Sequence, residues 1–378
     1  MAKQMKRGVV PLAWLFYLVI VFEIVYMISP FALYYYSAYG PSLNFLHRWP
    51  LTAWLSGFFL PHFSETSSWL LNSLHDYGWM LFLAGLILFL IGAGHIYYAK
   101  FTKKGAVTGG LYKLVRHPQY TAFAMMGFGV LLVWPRFMVL MMYVTMLFIY
   151  YWLARKEDKE CEEKFGENFR AYLETTPMFI PVKFSILGKS LVLPKSGPKR
   201  VAANLSLYIV VMVFAAIAAR GVRNYSLANL SVLYSKDMAT IATASMNKEE
   251  MEKTLHVALD HLEVQDKLTQ AGYGTGEKLL NYIVPLSWFL PDLPLEVTPQ
   301  GARGHHQPKS FNRDEYKILF TKAKLSTDAS VSDADILKKT VARAPIVVVK
   351  VNKASGEILG IETPPPHVRW GDIPTPLF

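Results

Sequence analysis

Cysteine is nearly absent. Among 378 residues there is one, Cys161, which excludes an intramolecular disulfide and any cysteine-built zinc site. Charged residues are also sparse, 18% of the chain against 52% hydrophobic, and mean hydropathy is positive at +0.24. This balance excludes an ordinary soluble domain and indicates a membrane protein. No internal repeat is present. No dinucleotide fingerprint occurs, and "GYGTGEK" (272–278) imitates a phosphate loop without its spacing or a preceding strand. His305-His306 after "QGARG" reads as a loop, without partners spaced for a metal, so no metal site is expected.

Basic residues are the exception to this scarcity, and the formal net charge is +11. They cluster beside apolar runs, which suits anionic headgroups and topology control, and nucleic acid is not expected as a partner. A span needs about 20 apolar residues. Trp14–Tyr36 qualifies, with Glu23 inside it and Pro30 near its outer end; so does Trp79–Ala99. The start "MAKQMKRGVVPLAWLF" reads as an uncleaved first span. Residues 120–134 and 136–154 are separated by "WPR" alone and predict a tight helical hairpin, and Leu205–Ala219 predicts a fifth span. "LTAWLSGFFLP" (51–61) is too short to cross and is expected to lie in the interface.

Loop charges set the orientation. Lys3, Lys6 and Arg7 precede the first span. Lys100, Lys103, Lys104, Lys113 and Arg116 follow the second, and Lys183, Lys189, Lys195, Lys199 and Arg200 lie between the fourth and fifth. The positive-inside rule makes these segments and the N terminus cytoplasmic. An odd number of spans then puts the region after about residue 220 on the opposite face. Lys100, Lys103, Lys104 and Lys113 read as topology determinants. Residues 221–378 form a separate, polar domain. It should hold a helix at 247–270, with Leu255, Leu259 and Leu262 at helical spacing and a capping box from Asn247 to Glu250. A β-hairpin is predicted at 345–363, and "TPPPHVRWGDIPTPLF" is too rich in proline for a helix or central strand. The fold class is therefore an all-α polytopic membrane domain (1–220, about five helices) plus an α+β extracytoplasmic domain (221–378).

Chemistry concentrates around "GLYKLVRHPQY" (110–120). The tight hairpin returns the chain to the same membrane face, where it reads "ARKEDKECEEKFGENFRAYLETTPMFIPVK" (154–183). Arg116, His117 and Tyr120 should therefore meet Arg155, Glu157 and Asp158 at one depth. Arginine and histidine can grip a carboxylate, and acidic side chains can pair with an ammonium or sulfonium. Lys156, Lys159, Glu160, Glu162 and Glu163 read as a solvated helix face. Glu23 and His95 are ionisable groups within spans, a default pointer to function. His95 either reaches the interface or lines a cavity.

These blocks resemble the isoprenylcysteine carboxyl methyltransferase and phospholipid methyltransferase group of integral membrane enzymes. Gly110, Tyr112, Arg116, His117, Pro118 and Tyr120 match G-x-Y-x-x-x-R-H-P-x-Y. Arg155 and Glu157 match R-x-E, with Asp158 in the second acidic place. Phe165, Gly166 and Tyr172 match a third block, which Phe179, Ile180 and Pro181 close. The resemblance covers about residues 75–185. Two positions depart from it: Ala122 stands where glycine is expected, and Phe169 where tyrosine is.

The resemblance implies S-adenosylmethionine as methyl donor, held at the cytoplasmic face, and a membrane lipid or lipophilic small molecule as acceptor, arriving sideways from the bilayer. It implies Tyr112, Arg116, His117, Tyr120 and Asp158 as cofactor-binding residues, Arg155 and Glu157 as catalytic ones, and a bacterial inner membrane as location. The alternative is a non-catalytic subunit of the same fold that scaffolds a larger membrane complex through 221–378 and the proline-rich end. A sterol-type reductase of similar architecture is a third possibility, and nothing in the sequence supports it.

Overall fold

The computed structural model describes residues 24–37, 51–102, 105–181, 197–290, 307–326 and 331–364, with 18, 21–22, 43, 45–46, 49, 292–293 and 378 as shorter pieces. Glu23, Lys103, Lys104, the lysines at 183, 189 and 195, His305-His306 and residues 365–377 of the proline-rich end lie outside them. The chain divides into two compact units: 1–38, 77–131 and 139–215 in one, and 39–76, 132–138 and 216–378 in the other.

The first unit is helical. Its elements are α1 (Ile24–Tyr36), α2 (Trp69–Phe101), α3 (Pro118–Val133), α4 (Phe137–Phe165), α5 (Glu167–Thr175) and α6 (Pro198–Ala228), with α2, α4 and α6 running on into the other unit. Three of these, α2, α4 and α6, are long and apolar enough to cross a membrane, whereas α1 as described and the 16-residue α3 are shorter. Helix α2 begins ten residues before the predicted span at Trp79. The hairpin forms as expected, α3 and α4 being joined by Trp134–Arg136.

In hydrocarbon a polar side chain must be satisfied by protein, and here carbonyls serve. Tyr34 donates to the Gly127 carbonyl at 2.5 Å, Tyr143 to that of Ala124 at 3.0 Å, and Tyr150 to that of Met27 at 3.1 Å. Thr145 on α4 and Tyr208 on α6 share a hydrogen bond of 2.8 Å. Ala122, fully buried, does not keep the helices apart, because the close approach depends on glycines at other positions. A Cβ at Gly85 of α2 would stand 2.9 Å from the Ala122 carbonyl oxygen, and one at Gly129 of α3 only 2.4 Å from the Gly78 carbonyl oxygen.

The second unit is built on a six-stranded sheet in the order β1-β2-β3-β4-β5-β6: Ser231–Ser235, Met238–Ala242, Leu279–Pro285, Glu315–Leu325, Thr340–Asn352 and Glu357–Glu362. All neighbours are antiparallel except β2 and β3, which are parallel and are therefore joined by a crossover. Two helices, α7 (Lys248–Leu259) and α8 (Leu262–Gln270), make that crossover. The hairpin predicted at 345–363 is the pair β5–β6.

The single helix expected at 247–270 is corrected to two, because the chain breaks at Asp260-His261. Met251, Leu255, Ala258, Val264 and Leu268 form the buried stripe, while Leu262, counted in it from spacing, is 76% exposed at the start of α8. The capping box is present: the Asn247 side chain accepts from the Glu250 amide, and the Glu250 carboxylate accepts from the Asn247 amide. The other face of the sheet is covered by Phe58, Phe63, Leu227, Trp288 and Phe378 among others. In the 51–61 segment, expected in the interface, Leu51 and Trp54 are exposed. Phe58, Phe59 and Leu60 are buried in protein, and the segment's helical content is one 3₁₀ turn, Ala53–Ser56. "GYGTGEK" forms the turn from α8 to β3.

Candidate active site

The site is assembled from a loop before α3 and the last turns of α4. Pro118 opens α3, where its missing N–H costs nothing. Just ahead of it the amides of Arg116 and His117 donate to the carbonyls of Pro177 (2.9 Å) and Met178 (3.1 Å). Thr121 donates to the carbonyl of Phe179 at 3.0 Å. The segment leading into Phe179-Ile180-Pro181 thus serves as a backbone strap that fixes the R-H-P loop.

Helix α4 then presents adjacent carboxylates. Asp158 accepts from Arg116 Nη1 at 3.1 Å and meets His117 Nε2 at 2.9 Å. Glu157 accepts from the Tyr120 hydroxyl, and its second oxygen lies 3.5 Å from His117 Nδ1, an ion-pair distance. His117, 9% exposed, therefore bridges two acids. Burial alone would lower its pKa, but the hydrogen bonds and charges of Asp158 and Glu157 outweigh that, and the pKa is raised above the ordinary histidine value. In the imidazolium both ring nitrogens donate, as this bridge requires. The ring stacks on Tyr120, which stacks in turn on Tyr150 at 4.8 Å between centroids.

Beside this network lies a cavity of about 500 Å³, within the usual range for a small-molecule site. Tyr112, Arg116, His117, Tyr120, Glu157 and Asp158 all line it. Arg155 does not. Its side chain is exposed and donates to the Tyr151 hydroxyl at 3.2 Å, because going two residues back along the helix from Glu157 turns the side chain by about 200° to another face. Tyr112 donates to the Gly92 carbonyl at 3.4 Å, and Tyr172 donates to the Tyr112 carbonyl at 2.6 Å. Burial raises the pKa of both phenols, that of Tyr172 to about 12, so both remain neutral donors. Arg116 Nε is buried and finds no acceptor among the described residues.

Sequence reasoning missed several lining residues. Lys100 was assigned to topology, yet it lines the cavity together with Ile96 and Ala99 from α2. Cys161 and Lys164 follow Glu157 at helical spacing, a signal that could have found them. Phe169 lines the wall and is buried, so a phenyl face stands where a hydroxyl was expected. Among the described residues no cluster of histidine, cysteine or acidic side chains could hold a metal.

Residues 77–168 match the family model described as phospholipid methyltransferase. No curated protein and no solved structure matches the chain. With three helices among the described residues long and apolar enough to cross a membrane, the chain is an integral membrane protein whose region 77–168 is similar to the phospholipid methyltransferases, the group of membrane methyltransferases that also holds the isoprenylcysteine carboxyl methyltransferases.

Proposed function

We propose that the protein transfers a methyl group from S-adenosylmethionine to a lipophilic acceptor at the membrane surface. The observation that carries this reading is the convergence of Tyr112, Arg116, His117, Tyr120, Glu157 and Asp158 on one cavity within or beside the family-matched segment. The residues fit the cofactor's chemistry. Carboxylates are present for its cationic groups, Arg116 with its open Nε and Lys164 for its carboxylate, and the faces of Tyr112, Phe165, Phe169 and Tyr172 for its base. When bound, S-adenosylmethionine supplies an electrophilic methyl group for direct displacement.

The chain's own contribution is then alignment and exclusion of water. Asp158 holds Arg116 and His117 in place, and the strap from Pro177 to Phe179 fixes the loop that carries them. Glu157, with 42% of its side chain exposed, is placed to take a proton from an acceptor that must lose one, and Tyr120 and His117 orient its carboxylate. Arg155, outside the cavity, is assigned to the acceptor's headgroup. We place the cavity on the cytoplasmic face and residues 221–378 on the other, from the loop charges.

Calorimetry of the detergent-purified protein with S-adenosylmethionine tests the reading. Micromolar binding that weakens at least tenfold in His117→Ala and in Glu157→Ala is the expected result. A folded wild type that binds no S-adenosylmethionine would overturn it and leave the non-catalytic subunit as the better account.

A further inference from the structure

His95 is an ionisable side chain in the last third of α2, and the proposed chemistry does not use it. Its Nδ1 is buried and has no hydrogen-bond partner among the described residues. Its ring lies against the backbone of Gly110, which has φ +59°. A Cβ built there would stand 2.7 Å from Cε1, 3.1 Å from Nε2 and 3.3 Å from Nδ1. Glycine at 110 is thus demanded twice, by a left-handed backbone and by the space the imidazole fills. Gly110 starts the 3₁₀ turn Gly110–Lys113, and Tyr112 in that turn forms part of the cavity wall. The same stretch of α2 receives the Tyr112 hydroxyl on the Gly92 carbonyl, one turn before His95. Ile96, Ala99 and Lys100, just beyond His95, line the cavity themselves.

We propose that His95 is a positioning residue: its flat ring is the platform on which the Gly110–Lys113 turn rests, and it thereby sets where Tyr112 stands in the cavity wall. A hydrogen bond from Nδ1 is not the device, since that atom meets no partner among the described residues. The part of the test that measures cofactor affinity rests on the function proposed above; the part that measures cavity shape does not.

The experiment compares His95→Ala, His95→Phe, His95→Asn, Gly110→Ala and the double variant His95→Ala with Gly110→Ala. Two readouts are taken on detergent-purified protein. One is S-adenosylmethionine affinity by calorimetry. The other, without ligand, is the maleimide alkylation rate of Cys161, which is the chain's one cysteine and lines the same cavity.

A platform that works by shape predicts that His95→Phe stays within about twofold of wild type in both readouts, while His95→Ala and His95→Asn lose about tenfold in affinity and alter alkylation severalfold. Gly110→Ala should be as damaging, and the double variant should recover part of that loss, because removing the ring frees the space the new methyl needs. Rescue by His95→Asn with failure of His95→Phe would overturn the proposal in favour of a hydrogen bond. A His95→Ala protein identical to wild type would overturn it outright, and so would strict additivity in the double variant. If wild type binds no S-adenosylmethionine yet Cys161 alkylation follows the predicted order, the methyltransferase reading fails and the positioning role stands.

Discussion

Two arginines, one in each unit, pair with an aspartate in opposite ways. In the sheet unit Arg343 and Asp292, each 4% exposed, form a closed fork with bonds of 2.8 and 2.9 Å, and the guanidinium lies over the Tyr282 ring at 5.3 Å. In the helical unit Arg116 reaches Asp158 through one nitrogen at 3.1 Å and leaves Nε, beside a cavity, without a partner among the described residues. The first pair saturates its charges and can only hold a fold together. The second leaves hydrogen-bonding capacity open in a partly desolvated place, where an incoming ligand group is worth most. The difference separates a structural ion pair from a site more sharply than burial does.

Breaking the closed pair should cost most. Arg343→Met leaves Asp292 buried and uncompensated, so the sheet unit should lose about 3–5 kcal/mol in denaturant unfolding. Adding Asp292→Leu should restore much of it, and ligand affinity should be unchanged in that double variant. In the helical unit the largest effect should come from Gly129→Ala, whose methyl group meets the Gly78 carbonyl oxygen and the Phe82 amide at 2.4 and 2.8 Å. Backbone cannot yield as a side chain can, and a loss of about 3 kcal/mol in detergent unfolding is expected, the upper end for overpacking.

Opening the site pair is a smaller change in stability and a larger one in function. Asp158→Asn should weaken S-adenosylmethionine binding by about tenfold, equivalent to about 1.4 kcal/mol, with a modest shift in unfolding temperature. It should also change the pH response. The folded-state pKa of His117 is raised above 6.5, so its contribution to stability is complete below about pH 6.5 and is lost as pH rises through the raised value. Wild type should lose thermal stability as pH rises above about 6.5, and Asp158→Asn should show a flatter profile over the same range. Smallest of all, Asn247→Ala should remove the α7 capping box at a cost of about 1 kcal/mol, read by urea unfolding, without touching ligand affinity.

Much of the site could be read from sequence because its residues sit in two short blocks. The interval Arg116-His117-Pro118 to Tyr120 is fixed by a helix start, and Glu157-Asp158 falls where a tight hairpin must return the chain. Arg155 stands outside the cavity because neighbours in a motif need not share a helix face. Neither Lys100 nor Tyr172 was assigned to the cavity, because residues distant in sequence announce no common cavity. In the sheet unit the β5–β6 hairpin and the capping box were legible, being local. The parallel β2–β3 pair was not, since Met238–Ala242 and Leu279–Pro285 are short apolar runs whose pairing depends on what α7 and α8 cover.

What the sequence determined by itself is set by local and solvent physics: apolar lengths that demand a bilayer, a proline that opens α3, a cap that opens α7, and the family blocks. The tertiary structure alone decided which side chains share space. It put a glycine at 85 opposite Ala122, turned Phe58 into the core of a sheet, and laid His95 under Gly110. Those are contacts across long stretches of chain. Their energies depend on distances of a few tenths of an ångström, which no pattern of residue types encodes.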